Sequence, residues 1–213
     1  MGKKSNNYIP AFKYNWLTPF YDLIMRLMRE STIKNDLVKS VNIKENYKVL
    51  DLGCGTATLT ILLKKTYPDA EIVGLDGDPK VLEIAKSKIK QEKLDIHLDE
   101  GMSFELPYED NSFDLVVSSL MFHHLTHRNK IRTFKEILRV LRDDGKLYFV
   151  DFGEPHNTLM YLISLVMRHF EETSDNISGL LPEMFLKVRF SKIEQIKKYS
   201  TIFGSVYLYQ VQI

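Results

Sequence analysis

Short runs of β-branched and other apolar residues alternate along the chain with longer stretches of helical periodicity. Five of these runs predict strands, and each stands before a loop or a helix. The predicted strands are Lys48–Leu52, Glu71–Asp76, Ile96–Asp99, Phe113–Ser119 and Lys146–Asp151. Because strands that alternate with helices are typical of βαβ units, the pattern predicts an α/β fold with a parallel sheet.

The helical stretches between the strands carry start and stop signals. Asp78 can cap a helix that begins with Pro79, and the apolar residues after it recur at three- and four-residue spacing. A second helix is predicted from Asn129 onward, with Gly145 as its stop directly before the fifth strand.

The two ends of the chain add further elements. Phe12–Glu30 predicts an aromatic-rich helical segment, and Pro155–Arg189 predicts a mostly helical one. Ser191–Ile202 and Ser205–Ile213 predict two more strands, which would form an antiparallel hairpin on one edge of the sheet.

Composition narrows the range of partners. The chain has 213 residues, 44% of them hydrophobic, which suits one α/β domain and is too short for two. A formal net charge of +1 gives no global field that favours nucleic acid or an anionic membrane. The single cysteine, Cys54, fits a reducing compartment, so we expect a cytoplasmic protein. The N-terminus lacks the apolar region of a secretory signal, and the apolar stretch Leu159–Met167 is too short to span a bilayer.

The stretch "VLDLGCGTATL" places a glycine loop directly after the first strand. Asp51 lies at the end of the strand, Gly53 and Gly55 follow, and a helix is predicted from about Thr56. Bare backbone therefore lies at the carboxyl edge of a parallel sheet, where open α/β sheets bind ligands. The dinucleotide fingerprint would need glycine where Thr58 stands, and no lysine follows as a triphosphate-binding loop requires.

A carboxylate at the end of the second strand strengthens the prediction of a ligand. Asp76 lies about 20 residues after Gly55, where an acidic residue can accept both ribose hydroxyls of a nucleoside. Taken alone, the glycines could form a tight turn without a ligand, and Asp76 could be a solvated strand end or a cap. Their joint occurrence with Asp51 favours a nucleoside ligand and does not require a pyrophosphate.

Four ordered stretches carry a resemblance to a known family: "VLDLGCGTATL", "GLDGDPKVLEIAKSK", "LPYEDNSFDLVVSSLMFHHL" and "EILRVLRDDGKLYFVD". They resemble the motifs of the class I, Rossmann-like S-adenosylmethionine-dependent methyltransferases, in the branch of the quinone-biosynthesis methyltransferases. The resemblance covers roughly Leu17 to Asp151. It implies a three-layer, doubly wound, mostly parallel seven-stranded sheet with an antiparallel C-terminal strand.

The resemblance also implies which residues hold S-adenosylmethionine. The corresponding positions are Tyr21, Asp51, Gly53, Gly55, Asp76, Gly77, Met102, Ser103 and Ser119. The glycines of the loop would admit the methionine part of the cofactor, Asp51 would hold its ammonium group and Asp76 its ribose. Gly77 would lie beside the adenine, Tyr21 would meet the cofactor, and the carbonyl of Ser119 would face the ammonium group.

The sequence departs from the family's pattern beside the adenine. Met102 stands where the family carries an acidic residue. We therefore expect either Asp99 or Glu100 to substitute, or the adenine to be held by packing and by the backbone at Ser103. Ala57, where glycine is usual, is expected to cost little.

Two histidines follow the fourth strand beside the expected methyl group. His123 or His124 can act as a general base, which a methyl acceptor needs only if it carries a proton. The alternative is that they cap or pack the next helix. Glu154 and His156, after the fifth strand, are weaker candidates.

The acceptor is expected to be a small lipophilic or aromatic molecule. The fourth strand ends in "SLMF", which lacks the tetrapeptide of methyltransferases acting on base amines, so we expect no nucleic-acid partner. Apolar residues could form a lid over the acceptor site or could simply complete the core. They are Trp16, Phe20, Tyr21, Leu159, Tyr161, Leu162 and Phe170. Shallow contact with a membrane surface stays open.

These expectations give one domain with four parts. They are an N-terminal helical lid segment (1–46), a cofactor-binding core (47–154), a helical insert over the acceptor site (155–190) and a C-terminal strand pair (191–213). We expect no metal ion, and the oligomeric state stays open. Two competing functions also stay open: a non-catalytic module that binds S-adenosylmethionine, and a nicotinamide or flavin oxidoreductase.

Overall fold

The structure is a computed structural model that describes residues 29–167 and 172–213. Its strands are β1 (Lys48–Leu52), β2 (Glu71–Asp76), β3 (His97–Glu100), β4 (Phe113–Ser119), β5 (Leu141–Phe152), β6 (Lys192–Thr201) and β7 (Gly204–Gln212). Its helices are α1 (Glu30–Ser40), α2 (Thr58–Thr66), α3 (Pro79–Glu92), α4 (His127–Val140), α5 (Thr158–Met167), α6 (Ser174–Ile177) and α7 (Leu181–Lys187). A short 3-10 turn, Phe122–His124, connects β4 to α4.

The strands form one seven-stranded sheet in the order β3-β2-β1-β4-β5-β7-β6. The first five strands in that order are parallel, and β7 is antiparallel to both of its neighbours. This confirms the predicted fold class, including the antiparallel C-terminal strand. Because β1 and β4 are central and adjacent, their carboxyl ends lie at the point where the strand order reverses, which is the usual ligand site of doubly wound sheets.

Apolar clusters cover both faces of the sheet and fix its position between two helical layers. On one face Phe134 of α4 and Phe185 of α7 stack with ring centroids 3.9 Å apart, and Phe122 contacts both rings. On the other face Ile33 of α1 and Leu63 of α2 are fully buried against the sheet. The 3-10 turn that carries His123 is therefore anchored by a buried aromatic residue.

Two helix boundaries differ from the sequence prediction. α4 ends at Val140 rather than near Gly145, because Leu141 is buried and already pairs with Phe113 of β4. Gly145 lies inside β5, where the pairing with β4 is irregular, and so it does not end the helix. α2 begins at Thr58 and not at about Thr56.

The prediction of an apolar lid is only partly addressed by the described residues. On α5, Leu159, Tyr161 and Leu162 are 63%, 52% and 56% exposed. The alternative that these three residues complete the core is therefore wrong. The other members of the predicted lid, Trp16, Phe20, Tyr21 and Phe170, lie outside the described residues. Across residues 29–167 and 172–213, no helix has the length and apolar character needed to cross a bilayer.

Candidate active site

The glycine loop after β1 is tied to the end of β2. The backbone N–H groups of Gly53 and Cys54 donate to the carbonyl of Leu75 at 2.8 and 3.0 Å. Gly53, Gly55 and Ala57 all adopt left-handed conformations, with φ of 75°, 56° and 61°. The alanine at the third position therefore takes a conformation that glycine adopts more easily, at a cost of about 1 kcal/mol.

The two glycines of the loop face different surroundings. A Cβ atom added to Gly53 would lie 2.4 Å from Cγ of Met121, so this glycine is needed for close packing against the segment after β4. A Cβ atom added to Gly55 would have no described atom within 4 Å. The open space for a ligand therefore lies beside Gly55, and Met121 brings the histidine-bearing turn against the loop.

Asp76 is oriented by backbone groups at the end of β2. Its two carboxylate oxygens accept hydrogen bonds from the N–H groups of Gly55 at 2.9 Å and Asp78 at 3.0 Å. Burial nevertheless raises the pKa of Asp76 above its ordinary value, because these bonds only partly offset the loss of water. Each oxygen keeps a further lone pair, which suits the two hydroxyl donors of a ribose.

Asp51 is a buried carboxylate beneath the loop. It is 1% exposed, and the hydroxyl of Thr60 on α2 donates to it at 2.6 Å. Burial raises its pKa to about 6, although the bonds from Thr60 and the charge of Lys34 act in the opposite direction. The raised pKa shows that burial favours the neutral form, and a cation bound beside this carboxylate would stabilise its charged form.

The predicted adenine side is built around Gly77. A Cβ atom added to Gly77 would lie 3.0 Å from Sδ of Met102, so these two residues are neighbours. The hydroxyl of Ser103 lies 2.9 Å from that of Thr133 on α4. Asp99 accepts hydrogen bonds from Tyr108 at 2.9 Å and contacts His97, so its carboxylate is already engaged.

The carboxyl end of β4 has an unusual backbone. Leu120 directly follows the strand and adopts φ of 56°, a conformation that a bulky residue takes at a cost of about 1–2 kcal/mol. The buried hydroxyl of Ser119 has no hydrogen-bond partner within residues 29–167 and 172–213. Buried hydroxyls are normally satisfied, so this one marks the end of β4 as a place for a polar ligand.

His123 is held by a fully buried carboxylate at the end of β5. Its Nδ1 atom lies 2.9 Å from Oδ1 of Asp151, which also receives the amide of Asn176 at 3.1 Å. The N–H groups of Phe122 and Phe152 donate to the same carboxylate at 2.7 and 2.8 Å. Burial by itself would raise the pKa of Asp151, but His123 and these donors lower it below its ordinary value.

The other candidate bases differ in their surroundings. The ring of His124 lies 4.1 Å from that of His123, so both face the same part of the site. His156 contacts the hydroxyls of Ser205 and Ser200 at 2.7 and 3.0 Å, so both of its ring nitrogens have hydrogen-bond partners.

Glu154 lines a cavity of about 320 Å³ beside β7. The cavity is lined by Glu154, Gly179, Pro182, Ile193, Gln195, Tyr207 and Tyr209.

Sequence reasoning missed the partners of these site residues. Asp151 was within a recognised stretch but received no role, and Asn176, Thr60 and Met121 carried no signal. An acidic residue that ends the buried run "LYFV" is the one feature that could have pointed to Asp151. The remaining partners come from distant positions in the chain and become neighbours only through folding. No cluster of residues within the described ranges could hold a metal ion.

Comparisons with known proteins agree with this geometry. Residues 49–145 match a family profile described as Methyltransferase domain. A demethylmenaquinone methyltransferase from Thermotoga maritima is 31% identical over 173 residues, which cover 80% of this chain and 72% of that protein. The enzyme of the same name from Lactobacillus johnsonii is 34% identical over 152 residues, or 68% of this chain and 62% of that protein. The chain belongs to the class I S-adenosylmethionine-dependent methyltransferases, in their quinone-biosynthesis-like branch.

Solved structures support the methyltransferase fold. A S-adenosylmethionine-dependent methyltransferase from Methanosarcina mazei superposes with a TM-score of 0.66 at 20% identity, covering 80% of this chain and 93% of that one. This likeness supports the fold, while the family profile and the curated relatives confirm the predicted family, enzymatic class and cofactor.

The residues of this methyltransferase fit S-adenosylmethionine. The buried carboxylate of Asp51 would suit the cofactor's ammonium group, and the open space beside Gly55 would admit its aminoacyl chain. Asp76 presents both oxygens at the end of β2, where the ribose hydroxyls would donate. The individual roles of these residues stay predictions, as do those of Gly53, Gly77, Met102, Ser103 and Ser119. Tyr21 lies outside the described residues.

Proposed function

We propose that this methyltransferase acts on a small aromatic or lipophilic acceptor that loses a proton during the reaction, such as the ring of a reduced quinone. The observation that carries the proposal is the buried His123–Asp151 pair at the carboxyl edge of the sheet, next to the glycine loop. The names of the relatives from Thermotoga maritima and Lactobacillus johnsonii support the same class of acceptor.

The chain contributes alignment and proton transfer. When bound, S-adenosylmethionine supplies an electrophilic methyl group on its sulfonium, and in-line attack requires the acceptor at contact distance. Asp51 and Asp76 would fix the aminoacyl tail and the ribose of the cofactor. The turn after β4, held against Gly53 by Met121, would then present the histidines to the acceptor.

The hydrogen bond to Asp151 determines which atom of His123 can take a proton. With Nδ1–H donating to Asp151, the basic lone pair of the ring is on Nε2. Because Asp151 has a lowered pKa, it stays ionised and would stabilise the imidazolium that proton transfer creates. His124 is the second candidate base, since its ring lies beside that of His123 at a tilt of 37°.

A fixed base favours some acceptors over others. A neutral amine attacks a methyl sulfonium without prior loss of a proton, whereas a phenolic hydroxyl or an activated ring carbon gains about 10²- to 10⁴-fold from a neighbouring base. The four partners of Asp151 satisfy its buried carboxylate and fix His123, and a fixed base benefits an acceptor that must lose a proton. This supports carbon or oxygen methylation of an aromatic ring.

A labelling experiment tests the proposal. The protein is incubated with S-adenosylmethionine labelled in its methyl group and a reduced demethylated naphthoquinone with a short prenyl chain, and the mixture is partitioned between organic and aqueous phases. We expect label in the organic phase that comigrates with the methylated ring. Label confined to polar macromolecules from a cell extract would contradict the proposal.

The same assay separates the two competing functions. Tight binding of S-adenosylmethionine without transfer to any extract fraction would indicate a non-catalytic binding module. Displacement of the bound cofactor by NAD at lower concentration would indicate an oxidoreductase. The cytoplasmic location and the absence of a nucleic-acid partner stay predictions.

A further inference from the structure

A fully buried lysine lies between α4 and the segment that leads into α6. The ammonium group of Lys130 on α4 donates to the backbone carbonyl of Glu172 at 2.7 Å and to a carboxylate oxygen of Asp175 at 3.2 Å. Burying a lysine costs free energy that a single ion pair does not reliably offset. Stability alone therefore does not account for Lys130, and the residues that it holds in place become the question.

Both contacts of Lys130 fix the position of α6. Glu172 comes two residues before this helix, and Asp175 is its second residue. The other carboxylate oxygen of Asp175 lies 3.1 Å from Nδ1 of His127, which is also on α4. Because α6 is a single turn of four residues, it is too short to be stable by itself, and its bonds to α4 determine where it lies.

The residue after Asp175 reaches the buried carboxylate of the candidate active site. Asn176 is fully buried, and its Nδ2 atom lies 3.1 Å from Oδ1 of Asp151. The same oxygen lies 2.9 Å from Nδ1 of His123. Because an ionised carboxylate only accepts hydrogen bonds, Asn176 must turn its NH₂ group toward Asp151. One peptide bond thus connects the residue that Lys130 holds with a donor to the partner of His123.

The side chain of Asn176 does not secure this orientation by itself. Its carbonyl oxygen is buried and has no hydrogen-bond partner anywhere in residues 29–167 and 172–213. A buried acceptor without a partner has lost the hydrogen bond that water would give it, so this amide would gain by turning outward. The backbone of α6 must therefore hold Asn176 in place. The N–H group of Ile177 donates to the carbonyl of Thr173 at 2.9 Å, and Lys130 fixes the residues on either side of Thr173.

We propose that Lys130 is a positioning residue that holds Asn176 against the carboxylate of Asp151. Through this contact Lys130 fixes the orientation of His123, so the chain after α5 takes part in placing the general base. The proposal rests on the role of His123 in the proposed function. It applies to any acceptor that must lose a proton.

A double-mutant cycle tests whether Lys130 acts through Asn176. Turnover is measured with methyl-labelled S-adenosylmethionine and a reduced demethylated naphthoquinone, and cofactor affinity is measured by calorimetry with S-adenosylhomocysteine. We expect Lys130→Met and Asn176→Ala each to lower kcat about tenfold, because a small misplacement of a reacting group costs up to about 10²-fold in rate. Cofactor affinity should change less than about twofold. The double variant should be no slower than the slower single variant, within about twofold.

An NMR measurement tests the same inference without an acceptor. The proton on Nδ1 of His123 is buried and bonded to Asp151, so it should give a resonance far downfield that His123→Gln identifies by its loss. We expect this proton to exchange with water about tenfold faster or more in Lys130→Met and in Asn176→Ala. The double variant should show no further increase.

Matched variants distinguish positioning from a general loss of structure. Lys135→Met removes an exposed lysine from the same helix and should change neither kcat nor the exchange rate. Asp175→Asn weakens the ion pair without changing its shape. It should reproduce part of the Lys130→Met effect, and it takes the place of Lys130→Met in the cycle if that variant does not fold.

The outcomes separate this proposal from the proposed function. Losses of kcat that multiply in the double variant would overturn the positioning role, as would an unchanged exchange rate in Lys130→Met. An equal fall in cofactor affinity and kcat would indicate a purely structural lysine and would also overturn it. A wild-type protein with the protected proton but no transfer to the naphthoquinone would contradict the proposed acceptor alone.

Discussion

Protonation of Asp51 should make cofactor binding depend on pH. The buried carboxyl has a pKa of about 6 in the cofactor-free protein. A neighbouring ammonium group favours the ionised form, so the ligand binds the deprotonated protein and its affinity falls once Asp51 takes up a proton. At pH 5 about one molecule in ten is ionised, which predicts affinity about tenfold lower than at pH 7, or about 1.4 kcal/mol.

Calorimetry with two ligands isolates the contribution of this residue. S-adenosylhomocysteine carries the ammonium group, whereas 5′-methylthioadenosine lacks the aminoacyl tail but keeps the ribose. Burial also raises the pKa of Asp76. Because both ligands carry the ribose, both affinities should depend on the protonation of Asp76, whereas only the affinity for S-adenosylhomocysteine should depend on that of Asp51. We expect the ratio of the two affinities to fall about tenfold between pH 7 and pH 5. A constant ratio over this range would refute the reasoning, as would an Asp51→Asn variant that retains the full pH dependence.

Asp51→Asn should also show that the charged carboxylate of Asp51 lowers the stability of the cofactor-free protein. The folded state favours the neutral carboxyl, so Asp51 contributes most to stability below pH 4 and progressively less as the pH rises through about 6. A pKa raised from 3.8 to about 6 corresponds to a loss of about 3 kcal/mol in the free energy of unfolding at neutral pH. The variant should therefore unfold a few degrees higher than the wild type at pH 7.5 without cofactor, and should bind S-adenosylhomocysteine more weakly. A lower melting temperature would contradict this.

Three further changes test the rest of the site. Asp76→Ala should weaken the binding of S-adenosylhomocysteine and of 5′-methylthioadenosine alike, by about tenfold or more, because both carry the ribose. If calorimetry shows a loss of affinity for only one of them, Asp76 does not bind the ribose. Asp151→Asn should lower kcat about 10²-fold or more while cofactor affinity stays within about twofold, since it disturbs the orientation of His123; equal loss of both would indicate a structural role. Gly53→Ala should destabilise the fold by about 2 kcal/mol in chemical denaturation, and Met121→Ala should recover part of that loss if their contact is the cause.

Local signals in the sequence predicted most of the fold and named part of the candidate site. The alternation of strands and helices placed β1, β2 and β4 at their observed bounds, because each is a short, almost fully buried run in a parallel sheet. Asp51, Gly55 and Asp76 were recognisable because each stands at a fixed distance from a strand end. The stop of α4 was not predictable, since it depends on Leu141 pairing with a strand nearly 30 residues earlier.

Contacts between distant residues escaped prediction for the same reason. Asp151 and Asn176 lie 28 and 53 residues from His123 in the sequence. The adjacency of β4 and β5 and the packing of α6 against β5 bring them together. The exposed apolar side chains of α5 were equally hidden, because an apolar run does not reveal whether another element covers it. The two histidines could therefore be named as candidates, but the buried carboxylate that distinguishes His123 could not.

Strained backbone conformations at the carboxyl edge of the sheet indicate that the glycine loop already has its shape before the cofactor binds. Gly53, Gly55, Ala57 and Leu120 all have left-handed conformations, and two of them are not glycine. Such residues persist only where the surrounding structure fixes them. Leu120 donates its N–H to the carbonyl of Val150 at 2.8 Å, and Ala57 is fully buried, so tertiary packing supplies that constraint. The loop is thus held in shape by contacts on its inner side, while the space beside Gly55 is left open. Ordering the loop then costs little on binding, and the affinity should depend mainly on the charged groups at its two ends.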